Sequence, residues 1–230
     1  MTGFDMCNRS RIVVLISGRG SNMSALLDSA QVGQVADVVG VVSNDATAAG
    51  LGLAAERGIA TRGINHREFG SREAFEEALC LALEDLRPDL LVLAGFMRIL
   101  TPAFTAHWQG LMLNIHPSLL PAYPGLHTHS RALADGAVEH GATVHFVTND
   151  LDGGPAVLQA RVPILADDNE GTLAARVLTR EHKILPLATT WFATGRLRLH
   201  GNQAELDKRP LAAPLQYRNL SAGGASPKIT

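Results

Sequence analysis

The stretch Arg11-Ile12-Val13-Val14-Leu15-Ile16-Ser17-Gly18-Arg19-Gly20-Ser21-Asn22-Met23 decides the fold. Its first half is an unbroken apolar, β-branched run, the pattern of a strand buried on both faces of a parallel sheet. Its second half is a glycine-rich turn, after which Met23, Leu26 and Leu27 recur at helical spacing. Strand, tight turn and helix form the unit from which doubly wound α/β proteins are built. The turn leaves backbone N–H groups free beside the positive end of a helix, so it suits either a phosphate or a simple Ser or Asn cap. Met23 stands where the third glycine of a dinucleotide fingerprint would fall, and no P-loop lysine follows.

The same unit recurs outward from this stretch. Apolar runs over residues 38–42, 89–94, 111–116, 142–147 and 157–164 read as strands, with a short one over 59–64 and a terminal one over 196–200. Helical spacing covers 46–57, closed by Gly58, and 71–86, with Ser71 as cap and Pro88 just past the end. Thr101-Pro102 starts another helix, and a further one runs over 172–191, where Pro186 predicts a kink or a fresh start. The alternation predicts a Rossmann-like, doubly wound, mostly parallel sheet with flanking helices.

Composition narrows the function. The 230 residues are 46% hydrophobic and 18% charged, enough to bury a substantial core, and the net charge of −2 argues against a nucleic-acid partner. Two cysteines, Cys7 and Cys80, make no disulfide framework. Residues 1–10 lack the apolar core of a signal peptide, and no apolar run is long enough to span a bilayer. The expectation is a cytoplasmic protein with no membrane association. Residues 221–230, dominated by Ser, Ala and Gly, are expected to be disordered.

The chemistry is expected around Leu111-Met112-Leu113-Asn114-Ile115-His116-Pro117. Strand alternation puts Asn114 and His116 on one face, at the carboxyl end where open α/β sheets hold ligands. An amide beside an imidazole supplies an N–H donor for a developing oxyanion and a group that carries a proton. Asp152, before Gly153-Gly154, is a carboxylate on a sharp turn, which either reaches an imidazole or serves only its own backbone. Arg72, in the first turn of its helix, sits at the wrong end of the helix dipole and either meets a ligand carboxylate or is solvated. The segment 95–100, apolar with one arginine, either lines a pocket for a flat heteroaromatic ligand or packs as an ordinary loop. His127, His129, His140 and His145 raise the question of a metal, but no Cys or HExxH pattern accompanies them, and His127 and His129 read as loop residues. No metal is expected.

Asn114-Ile115-His116-Pro117-Ser118-Leu119-Leu120-Pro121 and Leu151-Asp152-Gly153-Gly154 together resemble the signature of the folate-dependent formyltransferases. The turn at 17–22, Gly95-Phe96-Met97-Arg98-Ile99-Leu100 and Tyr123-Pro124-Gly125-Leu126-His127-Thr128-His129 resemble those members that formylate glycinamide ribonucleotide. The resemblance covers residues 12–215 and implies formyl transfer from 10-formyltetrahydrofolate, a co-substrate, to the glycyl amine of that ribonucleotide in purine biosynthesis. It implies a catalytic trio of Asn114, His116 and Asp152. Gly20, Ser21 and Asn22 would hold the phosphate, with Glu181 near the ribose and Pro117 beside the substrate. Arg72 would face the folate's glutamate tail. Met97, Arg98, Ile99, Leu100 and Asn114, with Thr148, Asn149, Asp150, Leu151 and Asp152, would surround the pterin. One formyltransferase domain over 1–220 is expected, with a phosphate-binding half at about 11–110 and a catalytic and folate half at about 111–200, acting as a monomer or homodimer. Two positions depart from the family's usual residues: Asn149, where an acid is common, and Leu178, where a longer polar residue is frequent.

Other readings stay in view. A methionyl-tRNA formyltransferase is expected to carry a further RNA-binding domain, and a formyltetrahydrofolate hydrolase an N-terminal regulatory one. A sugar-amine formyltransferase would not be expected to show the Gly-Arg-Gly-Ser-Asn turn. A non-catalytic folate- or nucleotide-binding module would have no use for the trio.

Overall fold

The computed structural model describes residues 9–218. The tail expected to be disordered therefore lies outside the described residues. Eight strands form one sheet in the order β11-β7-β6-β5-β4-β1-β2-β3. In chain order they are β1 (Ser10–Ile16), β2 (Ala36–Ser43), β3 (Thr61–Gly63), β4 (Leu90–Leu93), β5 (Met112–His116), β6 (Glu139–Phe146), β7 (Ala156–Pro163) and β11 (Leu215–Gln216). The pairs from β3 through β5 and the β7–β11 pair are parallel, whereas β6 runs antiparallel to both β5 and β7. The doubly wound, mostly parallel sheet is therefore present, with one reversed strand.

Each central strand serves two cores, which is why its sequence is apolar at every position. Ile12, Val14 and Ile16 of β1 face the core that includes Leu173, Val177 and Ile184. Val13 and Leu15 face Phe75, Leu79 and Leu83 on the other side. The first layer is built from α1 (Ser21–Leu27), α2 (Ala30–Val35) and α7 (Glu170–Ala193), packed together. The second contains α4 (Arg72–Leu86) and α5 (Pro102–His107); α3 (Ala49–Ala55) flanks β2 and β3, and α6 (Thr128–Ala134) packs on α7.

Caps set several of these boundaries. The Ser71 hydroxyl accepts the Ala74 N–H, and Asn169 and Thr172 form a reciprocal capping box at the start of α7. The helix expected over 46–57 is shorter because Asp45 takes the Thr47 N–H and hydroxyl and holds the chain in a turn first. Pro186 neither ends nor restarts α7, which runs unbroken through it as a buried residue. Packing on the sheet outweighs the one lost backbone hydrogen bond there.

His129 also departs from expectation. It lies in α6, not in a loop, and His127 is that helix's N-cap with φ 57°. The expected terminal strand is β8 (Leu197–His200), but it belongs to a separate three-stranded sheet with β9 (Gln203–Leu206) and β10 (Arg209–Pro210).

The strand order reverses between β1 and β4, the place where such sheets open a crevice at their carboxyl ends. Here the turn after β1 meets the loop after β4. The Ser17 N–H donates to the Gly95 carbonyl at 3.1 Å, and the Ser17 hydroxyl accepts the Met97 N–H at 2.7 Å.

Candidate active site

Asn114 and His116 project from β5 into a cleft of about 450 Å³, also lined by Arg72, Met97, Arg98, Ile99, Pro117, Leu126, Leu151 and Asp152. A smaller chamber beside it is bounded by Leu100, Thr148, Asn149 and Asp150, and shares Arg98, Ile99, Asn114, Leu151 and Asp152 with the cleft. The residues expected around a folate thus fall on two adjoining cavities. Met97, Ile99, Leu126 and Leu151 are all more than half exposed, an apolar rim left open by the described residues.

The Asp152 turn is forced by its sequence. Asp152 takes the left-handed conformation at φ 52°, which Asp tolerates better than most residues. A Cβ on Gly154 would lie 1.9 Å from the Phe146 carbonyl oxygen, so only glycine fits. The turn returns Asp152 to β5. Its Oδ2 lies 3.4 Å from His116 Nδ1 and accepts the Gly125 N–H at 2.8 Å. His116 Nε2 lies 2.9 Å from the Tyr123 carbonyl oxygen, which only accepts, so that nitrogen carries a proton. The other nitrogen faces the Asp152 carboxylate, so the buried ring is held between two acceptors.

Sequence reasoning missed His145 as a member of this site. It lies directly across from Asn114 in the antiparallel β5–β6 pair. Its Nδ1 donates to the Phe146 carbonyl at 2.8 Å, and burial pushes its pKa down to about 4, outweighing that carbonyl and Asp152. At neutral pH its Nε2 is therefore a bare acceptor, and it takes one N–H of Asn114 at 3.0 Å. This fixes which way the Asn114 amide points and leaves its second N–H for the cleft. Asp152 Oδ1, 3.7 Å from that nitrogen, forms no ion pair with a neutral ring. The alternation at 142–147 placed His145 on a strand face, and only the strand pairing adds its partner.

His129 and His140 form a second, separate pair, Nδ1 to Nε2, at 3.1 Å. Burial, followed by the neighbouring His129 and His116, lowers the His140 pKa to about 4. Both His140 and His145 are thus neutral when folded but bind protons near pH 6.5 when unfolded. Their contribution is complete above that pH and is lost as the pH falls from about 6.5 towards 4, at about 1.4 kcal/mol per unit for each group. Urea midpoints should fall over this window, and His140→Gln should flatten the slope; equal slopes would show that His140 is not responsible.

The Gly20-Ser21-Asn22 turn lies outside the cleft's lining. Gly20 has φ 74°, and an added Cβ would approach the Gly50 Cα to 3.0 Å. The Asn22 side-chain N–H donates to Glu181 Oε2 at 2.5 Å, so α1 and α7 bring together two residues expected near the ribonucleotide. Glu181 is buried, which pushes its carboxyl pKa up, with the Asn22 bond partly offsetting this. Asn22 Oδ1 is also buried and has no partner among the described residues.

Fold and site together define an α/β protein with an amide–imidazole–carboxylate cleft at the carboxyl ends of its strands. The formyl transferase family matches residues 10–189. Phosphoribosylglycinamide formyltransferase of Escherichia coli K12 is 54% identical over 201 residues, covering 87% of this chain and 95% of that protein. The human trifunctional purine biosynthetic protein adenosine-3 is 46% identical over 84% of this chain, which corresponds to 19% of the human protein. Among solved structures, phosphoribosylglycinamide formyltransferase of Coxiella burnetii, in complex with CHES, superposes with a TM-score of 0.85 at 49% identity, covering 90% of this chain and 99% of that one. The chain belongs to the formyl transferase family.

No helix among the described residues is long and apolar enough to cross a membrane.

Proposed function

We propose that this chain transfers the formyl group of 10-formyltetrahydrofolate to the glycyl amine of glycinamide ribonucleotide, in the cytoplasm, as a step of purine synthesis. The observation that carries the reading is the convergence of Asn114, His116 and Asp152 in a cleft with apolar walls and an arginine at its edge. The folate head lies against residues 97–100 and 148–152, with its glutamate tail towards Arg72. The ribonucleotide phosphate takes the N–H groups of the Gly20-Ser21-Asn22 turn. Its ribose hydroxyls take the Glu181 carboxylate and the unpartnered Asn22 Oδ1, and Pro117 borders the glycyl end.

The neutral glycyl amine attacks the formyl carbon, and the carbonyl oxygen becomes an oxyanion. The Asn114 N–H not held by His145 donates to that oxygen. His116, held between Tyr123 and Asp152, contributes the positive charge beside it. The proton lost by the attacking amine passes through water to the folate nitrogen, whose bond to the formyl carbon then breaks. The products are the formylated ribonucleotide and tetrahydrofolate.

The test is formyl transfer by the purified protein with both substrates, followed as tetrahydrofolate release. Lack of transfer would overturn the reading. The dephosphorylated acceptor should show a KM raised by about 10- to 100-fold, the loss of charge-assisted hydrogen bonds, with the folate KM unchanged. Equal KM values for the two acceptors would remove the phosphate from the Gly20 turn.

A further inference from the structure

The two loops that wall the proposed folate site, residues 95–100 and 148–152, leave different strands and are far apart in sequence. A buried polar chain joins them underneath. Glu76 on α4 is only 5% exposed, and no ion pair among the described residues involves it. Its two carboxylate oxygens are taken by a single residue, Thr101, through the backbone N–H at 2.7 Å and through the hydroxyl. Thr101 follows Leu100 directly and caps α5, accepting the Phe104 N–H. One turn later the buried Thr105 hydroxyl pairs with the Asn149 side chain in the second loop. The chain of contacts therefore runs Glu76, Thr101, Thr105, Asn149.

Burying a carboxylate without a cation is costly. What the carboxylate adds is geometry. It fixes the end of the first loop against α4, the helix that also presents Arg72, one turn before Glu76, to the cleft. Through α5 the same anchor reaches the second loop. Asn149 Oδ1 accepts the Thr105 hydroxyl, as a carboxylate oxygen would, so an amide at this position keeps the link.

We propose that Glu76 is a positioning residue for the folate site, setting through Thr101, Thr105 and Asn149 the spacing between the two loops and Arg72. This rests on the function proposed above. It predicts an effect on the folate and not on the ribonucleotide, because nothing in the relay touches Asn22 or Glu181, and Asp152 at the end of the second loop has its own contacts to His116 and Gly125.

The experiment compares wild type with Glu76→Gln, Thr101→Val, Thr101→Ser and Asn149→Ala, measuring kcat, the KM of each substrate and tetrahydrofolate binding by calorimetry. Glu76→Gln and Thr101→Val should raise the folate KM and the tetrahydrofolate Kd by about tenfold, the scale of a buried hydrogen bond to a charged group. The ribonucleotide KM should stay within about twofold, and Thr101→Ser, which keeps the hydroxyl, should behave like wild type. Asn149→Ala should act in the same direction, and combined with Glu76→Gln it should raise KM by less than the product of the two. Thr101→Val leaves α4 intact and lies outside the lining of both cavities, so it decides the matter if the Glu76 variant does not fold. A folate KM and Kd within about twofold of wild type, or both substrates' KM values rising together, would overturn the inference. Wild-type protein that transfers no formyl group would instead overturn the function on which it rests.

Discussion

Asn114→Ala and His116→Ala should each lower kcat by about 10²–10⁴-fold, the usual cost of losing an oxyanion donor or a group that handles charge and protons. KM for both substrates should change far less, since in the proposed mechanism these groups act on charge that exists only in the transition state. The geometry makes the Asn114 result specific. Its amide is oriented by the bare Nε2 of a neutral His145, so Asn114→Asp should be as damaging as alanine. A carboxylate has no N–H for His145 or for the oxyanion, and it would add a negative charge where another is forming. Steady-state kinetics of the three variants check this. A large KM effect with kcat intact would mean that these side chains bind substrate and do not stabilise the reaction's charge.

The second large effect is expected for Asp152→Asn, with kcat lower by about 10²–10³-fold and little change in thermal stability. The shape is kept, and one side-chain oxygen can still accept the Gly125 N–H. The negative charge facing His116 is lost, and with it the ring's charged neighbour. The new amide nitrogen would also face His145 Nε2, where Oδ1 now stands at 3.7 Å, and compete with Asn114 for that lone pair. Both neighbours to which catalysis is assigned above as a proposal are therefore disturbed by one atom change. Nitrogen NMR signals of the His116 ring should shift in the variant, reporting the changed neighbour at Nδ1. Unchanged kcat with an unchanged His116 ring would leave Asp152 as a residue that only shapes its loop.

The sequence alone determined whatever depends on neighbours along the chain. The two-faced burial of β1, the glycine turn behind it, Asn114 and His116 on one strand face, and the Asp152 turn all follow from backbone geometry over a few residues. So do the caps at Ser71 and Thr101. Only tertiary structure decided the rest. Asn114 meets His145 across 31 residues, and Asn22 meets Glu181 across 159. The reversal of β6, the strand that carries His145, and the placing of His129 in α6 belong here too. So do the unbroken course of α7 through Pro186 and the grip of Glu76 on Thr101. None of these leaves a local signature, because periodicity says which face of an element a side chain occupies but not what that face meets. Strand register and helix packing set the partner, and they are fixed by the burial of the whole core at once.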